Sequence, residues 1–103
     1  MYGKISLMRL YEFVMILRPS LKEADRKKLL ATIKEWLKDV KILKEDDLGQ
    51  KALAYKIKKE DAGYYYMLQI ESDPEKGKAI PGDFEQRIVR EENIIRHLML
   101  RTN

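Results

Sequence analysis

Residues 48–71, LGQKALAYKIKKEDAGYYYMLQIE, constrain the fold more than any other stretch of this chain. Two strand-like runs, Ala52–Lys58 and Tyr64–Glu71, flank a charged connector that ends in Gly63, the residue type best suited to φ > 0 in a hairpin loop. The reading is a β-hairpin. Successive side chains of a strand point to opposite faces, so Tyr64, Tyr66, Leu68 and Ile70 share one face of the second run and are expected in the core. Tyr65, Met67, Gln69 and Glu71 occupy the other face, where an aromatic ring and a methionine must be covered by something else or put to use.

A lone hairpin is marginally stable, and the rest of the 103 residues must cover its apolar face. At 45% apolar content the chain holds enough for one modest core and one domain. Residues 1–7 carry little pattern and are expected as a short extension ahead of a folded domain over 8–103. Tyr11–Leu17 is a dense apolar run with Glu12 its one polar member, ended by Arg18-Pro19. It predicts a central strand buried on both faces, or nearly so. Ser20-Leu21-Lys22-Glu23 has capping-box spacing, and Leu30, Ile33, Leu37 and Val40, widened by Leu29 and Trp36, predict an amphipathic helix to about Asp39. A tryptophan on such a stripe is expected in the core. From Val40 the apolar period becomes two, with a bend or bulge expected at Gly49. The run from Ser72 to Gly82 holds two prolines and two glycines and cannot be one helix. Asp83 with Gln86 can cap a short helix from Phe84 to about Glu92, and Ile94–Arg101 is the last strand.

The resulting order, β-α-β-β-α-β, is the split βαβ arrangement of a ferredoxin-like α+β fold, a four-stranded antiparallel sheet with two helices on one face. Right-handed crossovers place the first and third strands at its centre. Arg9 and Arg101 are then expected at one end of the sheet, with Lys41, and Arg96 near the exit of the first strand at the other.

Function is less sharply bounded. Charged residues make up 37% of the chain, and 21 Lys plus Arg against 17 Asp plus Glu give a net charge of +4, an excess that suits a polyanion only if the cations cluster. There is no cysteine, hence no disulfide, thiolate metal site or thiol nucleophile. No apolar run approaches the ~20 residues of a membrane span, and the start lacks a signal-peptide pattern, so a soluble intracellular protein is expected. Glu45-Asp46-Asp47 could suggest a cation, but neighbouring strand carboxylates point opposite ways. No metal site, cofactor, catalytic residue or small-molecule substrate is predicted.

Met8-Arg9-Leu10-Tyr11-Glu12, Leu48-Gly49 with Leu53-Ala54-Tyr55, Gly63-Tyr64-Tyr65, and the ending Ile94-Ile95-Arg96-His97-Leu98-Met99-Leu100-Arg101-Thr102 together resemble the family of protein six of the bacterial small ribosomal subunit. The likeness runs from Met8 onward, with Lys56 where the family usually has proline and with residues 76–82 inserted relative to its second helix. It implies a non-catalytic ribosomal component that binds the central domain of small-subunit ribosomal RNA as a heterodimer with protein eighteen, on a cytoplasmic or organellar ribosome. Arg9 and Arg96 match family positions and are the first RNA-binding candidates. Lys51, Arg87, Arg90 and Arg101 follow on charge and expected location, and Val14, Tyr65 and Met67 form the candidate protein-partner face. The alternatives are an RNA-recognition motif acting on single strands outside the ribosome, which Ala62 before Gly63 argues against; an acylphosphatase-like enzyme, for which His97 lacks a nucleophile partner; and a module that stacks sheet on sheet.

Overall fold

The computed structural model describes residues 8–73 and 77–102, so the expected extension at 1–7 lies outside the described residues. The elements are β1 (Arg9–Leu17), α1 (Glu23–Trp36), β2 (Lys41–Ile57), β3 (Glu60–Ser72), α2 (Phe84–Arg90) and β4 (Ile94–Arg101), in the order β-α-β-β-α-β. The sheet runs β2-β3-β1-β4 and every pairing is antiparallel, the ferredoxin-like topology. Alternation along the strands sorts the residues between two faces. Phe13, Met15 and Leu17 of β1 and Tyr66, Leu68 and Ile70 of β3 meet Leu29, Leu30, Ile33 and Leu37 around α1, and Phe84 and Ile88 of α2. Burying each such side chain contributes roughly 1.5–3 kcal/mol, so this one-sided core is what holds the layers together. Phe13 and Phe84 meet edge-to-face, ring centroids 5.3 Å apart, linking β1 to α2.

Both helices lie on this face, and the opposite face of β1 has no helix against it. On that face Ile16 is buried and Val14 half-buried, which fits the expectation that β1 is buried on both faces or nearly so. Trp36 is likewise half-buried, packed on the rim of the core.

The helix starts differ from the capping rule. The N–H of Leu21 donates to the carbonyl of Arg18 at 3.3 Å, so Arg18-Pro19-Ser20-Leu21 forms a turn with proline at its second position. That turn takes Ser20 out of reach of the helix. Lys22 is the N-cap of α1 without a side-chain bond, and Glu23 and Asp25 in the first turn supply negative charge to the helix dipole instead. α1 ends at Trp36, short of Asp39, because Lys38 and Val40 turn their N–H groups back on Glu35 and Leu37. Asp83 does stand at the N-cap of α2, but its carboxylate accepts from Arg87 Nε at 3.0 Å. α2 stops at Arg90, before Glu92, since Glu91 accepts from Asn93 and from Ile94 in a turn that feeds β4.

The hairpin is longer than its sequence pattern indicates, and its turn lies elsewhere. Lys58 and Lys59 form it, both with left-handed backbone at φ 49° and 69°. Gly63 is not in the loop; it pairs with Lys51 inside β3. Its lack of a side chain serves close approach: a Cβ there would lie 2.2 Å from Ile16 Cγ2. The bulge at Gly49 is present, with φ +79° and a register shift between Asp47 and Gly49. A larger shift follows, because between the Ala52–Ala62 and Ile57–Glu60 pairs residues 53–56 of β2 stand against Asp61 alone. β1 ends opposite Tyr64, so residues 52–62 form an arm that runs past the end of β1.

Candidate nucleic-acid and partner interface

The open face is a grid set by strand register. Tyr65, Ile16 and Arg96 form one cross-strand row, Met67, Val14 and Leu98 the next, and Gln69, Glu12 and Leu100 the third. Leu98 and Leu100 are about half exposed, at 52% and 48%. The bulged segment Leu53-Ala54-Tyr55 curls over one end of this grid and, with Val14, Ile16, Ile57, Tyr65, Arg96 and Leu98, lines a recess of about 350 Å³. Its lining is mostly aliphatic and aromatic, with Arg96 and His97 as the polar members. A recess of this kind suits an apolar side chain of a protein partner.

Of the expected partner face, Val14 and Tyr65 line the recess and Met67 stands beside Val14 in the adjoining strand. Leu53, Tyr55 and Leu98 were missed as site residues. Leu-Ala-Tyr carries no breaker that would announce a bulge, and Leu98 has the ordinary signature of a buried strand residue.

The cations expected to bind RNA fall in three places. Arg9 stands opposite Ser72 and Arg101 opposite Tyr11, and Thr102 donates its N–H to Leu10 at 2.8 Å, so the two arginines share one end of the sheet. Lys41, opposite Glu71, is at that end too. Arg96 pairs with Ile16 at the other end, close to the turn where the Arg18 N–H leaves the ladder and donates to the carbonyl of Asn93. Lys51 joins that end, its Nζ 5.6 Å from the centroid of the Tyr65 ring. Seven strand steps of ~3.3 Å separate Ser72 from Tyr65, so the two groups are about 23 Å apart. Arg87 and Arg90 lie on α2, behind the sheet. Arg87 is engaged locally, paired with Asp83 and lying 5.7 Å over the Trp36 ring; Arg90 is exposed at the helix end.

The remaining polar groups serve the fold. Glu45 and Asp47 turn to the helix side and Asp46 to the open side, as alternation requires. Glu45 takes an ion pair from Lys34 and a hydrogen bond from Tyr66 at 3.1 Å; Asp47 takes the phenol of Tyr64 and the N–H of Gly49 at 3.1 Å. Arg26 lies 3.8 Å over the Tyr64 ring. Burial, then the charge and hydrogen bond of Glu45, push the Tyr66 phenol up to about 12. The hydrogen bond to Asp47 raises Tyr64 in the same direction. His97 packs its ring 6.0 Å from Phe13 at the core's rim. Of the three consecutive tyrosines only Tyr65 faces outward, too few for the base-stacking platform of an RNA-recognition motif. Among the described residues, no helix is long and apolar enough to cross a membrane, and no group of three or more His, Cys, Asp or Glu could hold a metal ion.

A helix-backed sheet with one face open, an apolar recess beside the β2–β3 arm and cations at both ends of that face defines a ferredoxin-like α+β domain. Sequence comparison makes this specific. The family model for ribosomal protein S6 matches residues 10–101. The small ribosomal subunit protein bS6 of Caldanaerobacter subterraneus is 31% identical over 99 residues, covering 93% of this chain and 99% of that one. Its counterpart in Clostridioides difficile is 33% identical, covering 90% and 98%. The crystal structure of 30S ribosomal protein S6 from Thermotoga maritima superposes with a TM-score of 0.81 at 26% identity, over 92% of this chain and 88% of that one. The chain belongs to the ribosomal protein S6 family of the small ribosomal subunit.

Proposed function

We propose that this protein binds the central domain of small-subunit ribosomal RNA together with protein eighteen of the same subunit, and performs no bond-making chemistry. The observation that carries the reading is the open sheet face, which holds an apolar recess and carries cationic groups at both ends, Arg96 at the recess margin itself. The recess around Val14, Tyr65 and Leu98 takes the protein partner. Arg9 with Arg101 at one end, and Arg96 with Lys51 at the other, engage phosphates, which position a protein without reading sequence. Arg87 and Arg90 contribute from α2 as a separate, weaker contact, since Arg87 already holds Asp83. Residues 8–103 constitute the binding domain, and residues 1–7 precede it.

The test is binding of central-domain RNA by the complex with protein eighteen, followed across salt concentration. Removing one phosphate-binding cation lowers the slope of log affinity against log salt by about 0.7–0.9. The Arg9→Ala/Arg96→Ala variant is expected to lower that slope by about 1.4–1.8 while leaving the urea midpoint in place. Unchanged affinity and slope remove both residues from the site.

A further inference from the structure

We propose that the tip of the β2–β3 arm, Lys58-Lys59, is a further RNA contact at the opposite end of the molecule from Arg9 and Arg101. The inference rests on the RNA-binding reading above and adds a site to it.

Lys58 and Lys59 are the turn residues between Ile57 and Glu60, and both adopt positive φ, 49° and 69°. Two-residue hairpin turns of this hand select Asn-Gly or Gly-Gly, because a Cβ is disfavoured there. This chain places two long cationic side chains at that turn instead, against local preference. Residues that violate a local rule without a packing gain mark candidate functional positions, and neither lysine belongs to the core or touches it.

The two acids that follow are already committed, Glu60 to Arg18 at 3.1 Å and Asp61 to Lys56 at 3.9 Å. Among the described residues, no carboxylate lies within ion-pair distance of Lys58 or Lys59, so the tip presents two uncompensated ammonium groups. The apolar residues of the arm, Leu53, Tyr55 and Ile57, belong to the recess, and the turn itself offers two ammonium groups, the chemistry of a polyanion site.

Distance decides that this is a separate contact. From Glu60 to Ser72, the partner of Arg9, β3 makes twelve steps, or about 40 Å at ~3.3 Å each. That is four to five times the ~8 Å Debye length at physiological salt, so the two cationic ends act on different stretches of RNA.

The Lys58→Asn/Lys59→Gly variant tests this, because it removes both charges while installing the pair that such a turn prefers. Binding of central-domain RNA by the complex with protein eighteen is measured across salt, beside urea unfolding of the free protein. The expected result is several-fold weaker binding and a salt slope shallower by about 0.7–1.8, with an unfolding midpoint equal to or above that of the unaltered protein. Lys58→Glu/Lys59→Glu is expected to weaken binding further. RNA affinity and slope unchanged in both variants, while the unaltered protein binds, overturn the inference alone. Weaker affinity for protein eighteen with an unchanged RNA slope overturns it as well. Failure of the unaltered protein to bind the RNA at all overturns the RNA-binding reading and this inference with it.

Discussion

Gly63 shows how a single residue's role can be misassigned from pattern alone. In sequence it closes a charged connector and reads as the left-handed residue of a loop. In the fold it is buried in β3, and the empty space at its Cβ position is filled by the γ2 methyl of Ile16. That methyl is attached directly to Cβ, so rotation cannot take it far without a poor rotamer. Gly63→Ala is therefore expected to destabilise the domain by about 1–3 kcal/mol, the usual cost of overpacking, as read from urea unfolding. Ile16→Ala in the same background should recover part of that stability, and a double-mutant cycle would show strong coupling between the two positions. The lysines of the true turn were illegible for the complementary reason. Nothing in Lys58-Lys59 signals positive φ, and the neighbouring glycine draws the assignment away. Alternation, by contrast, was legible residue by residue: Tyr66, Leu68 and Ile70 are buried and Tyr65 is turned to the open face, as period two requires.

The elements were read better than their ends. The strands and helices were announced by an apolar period or, as in β1, by an unbroken apolar run, whereas the caps depended on turns that form only once the chain is folded back, as at Arg18–Leu21. The bulge at Gly49 could be anticipated from its glycine; the one at residues 53–56 could not, since Leu-Ala-Tyr-Lys continues the pattern of a strand. β2 is also an edge strand of 17 residues, and α1 is tied to it by a polar row, Lys34 to Glu45 to Tyr66 and Arg26 to Tyr64 to Asp47. This row makes a prediction about alkaline stability. The Tyr66 phenol is raised from 10.0 to about 12 by burial and by Glu45. Between those values the unfolded chain has released a proton that the folded one retains, so stability falls as pH rises from about 10 to about 12 and is unaffected by this group below that window. The full effect is at most about 2–3 kcal/mol. Tyrosinate absorbance should show one phenol titrating after the others, and Tyr66→Phe should remove its share of the alkaline decline in urea midpoint.

At the scale of the whole molecule, helices lie on one side of the sheet and none on the other, and the proposed function assigns folding to the first face and recognition to the second. Net charge alone gave no hint of where the cations gather, and the six residues expected to bind RNA fall into three places because register, not sequence distance, decides neighbours. The separation is testable through Leu98, about half exposed beside Val14 and outside the core cluster. Leu98→Glu should change folding stability by no more than about 0.5 kcal/mol. The same substitution should weaken association with protein eighteen tenfold or more, because a carboxylate would replace apolar contact in the recess and lose its hydration there, which pairing with Arg96 on the same strand face offsets only in part, at about 1.4 kcal/mol per decade of affinity. Calorimetric titration of the two proteins decides it, and equal affinity would take the recess out of the docking surface. The arm has a consequence of its own. β1 gives out opposite Tyr64, so no third strand meters the hairpin beyond that point. Segments there can be lengthened, trimmed or re-aimed without sliding any pairing in the four-stranded sheet, and a lineage could refit its grip on a changing assembly while leaving the folding unit alone.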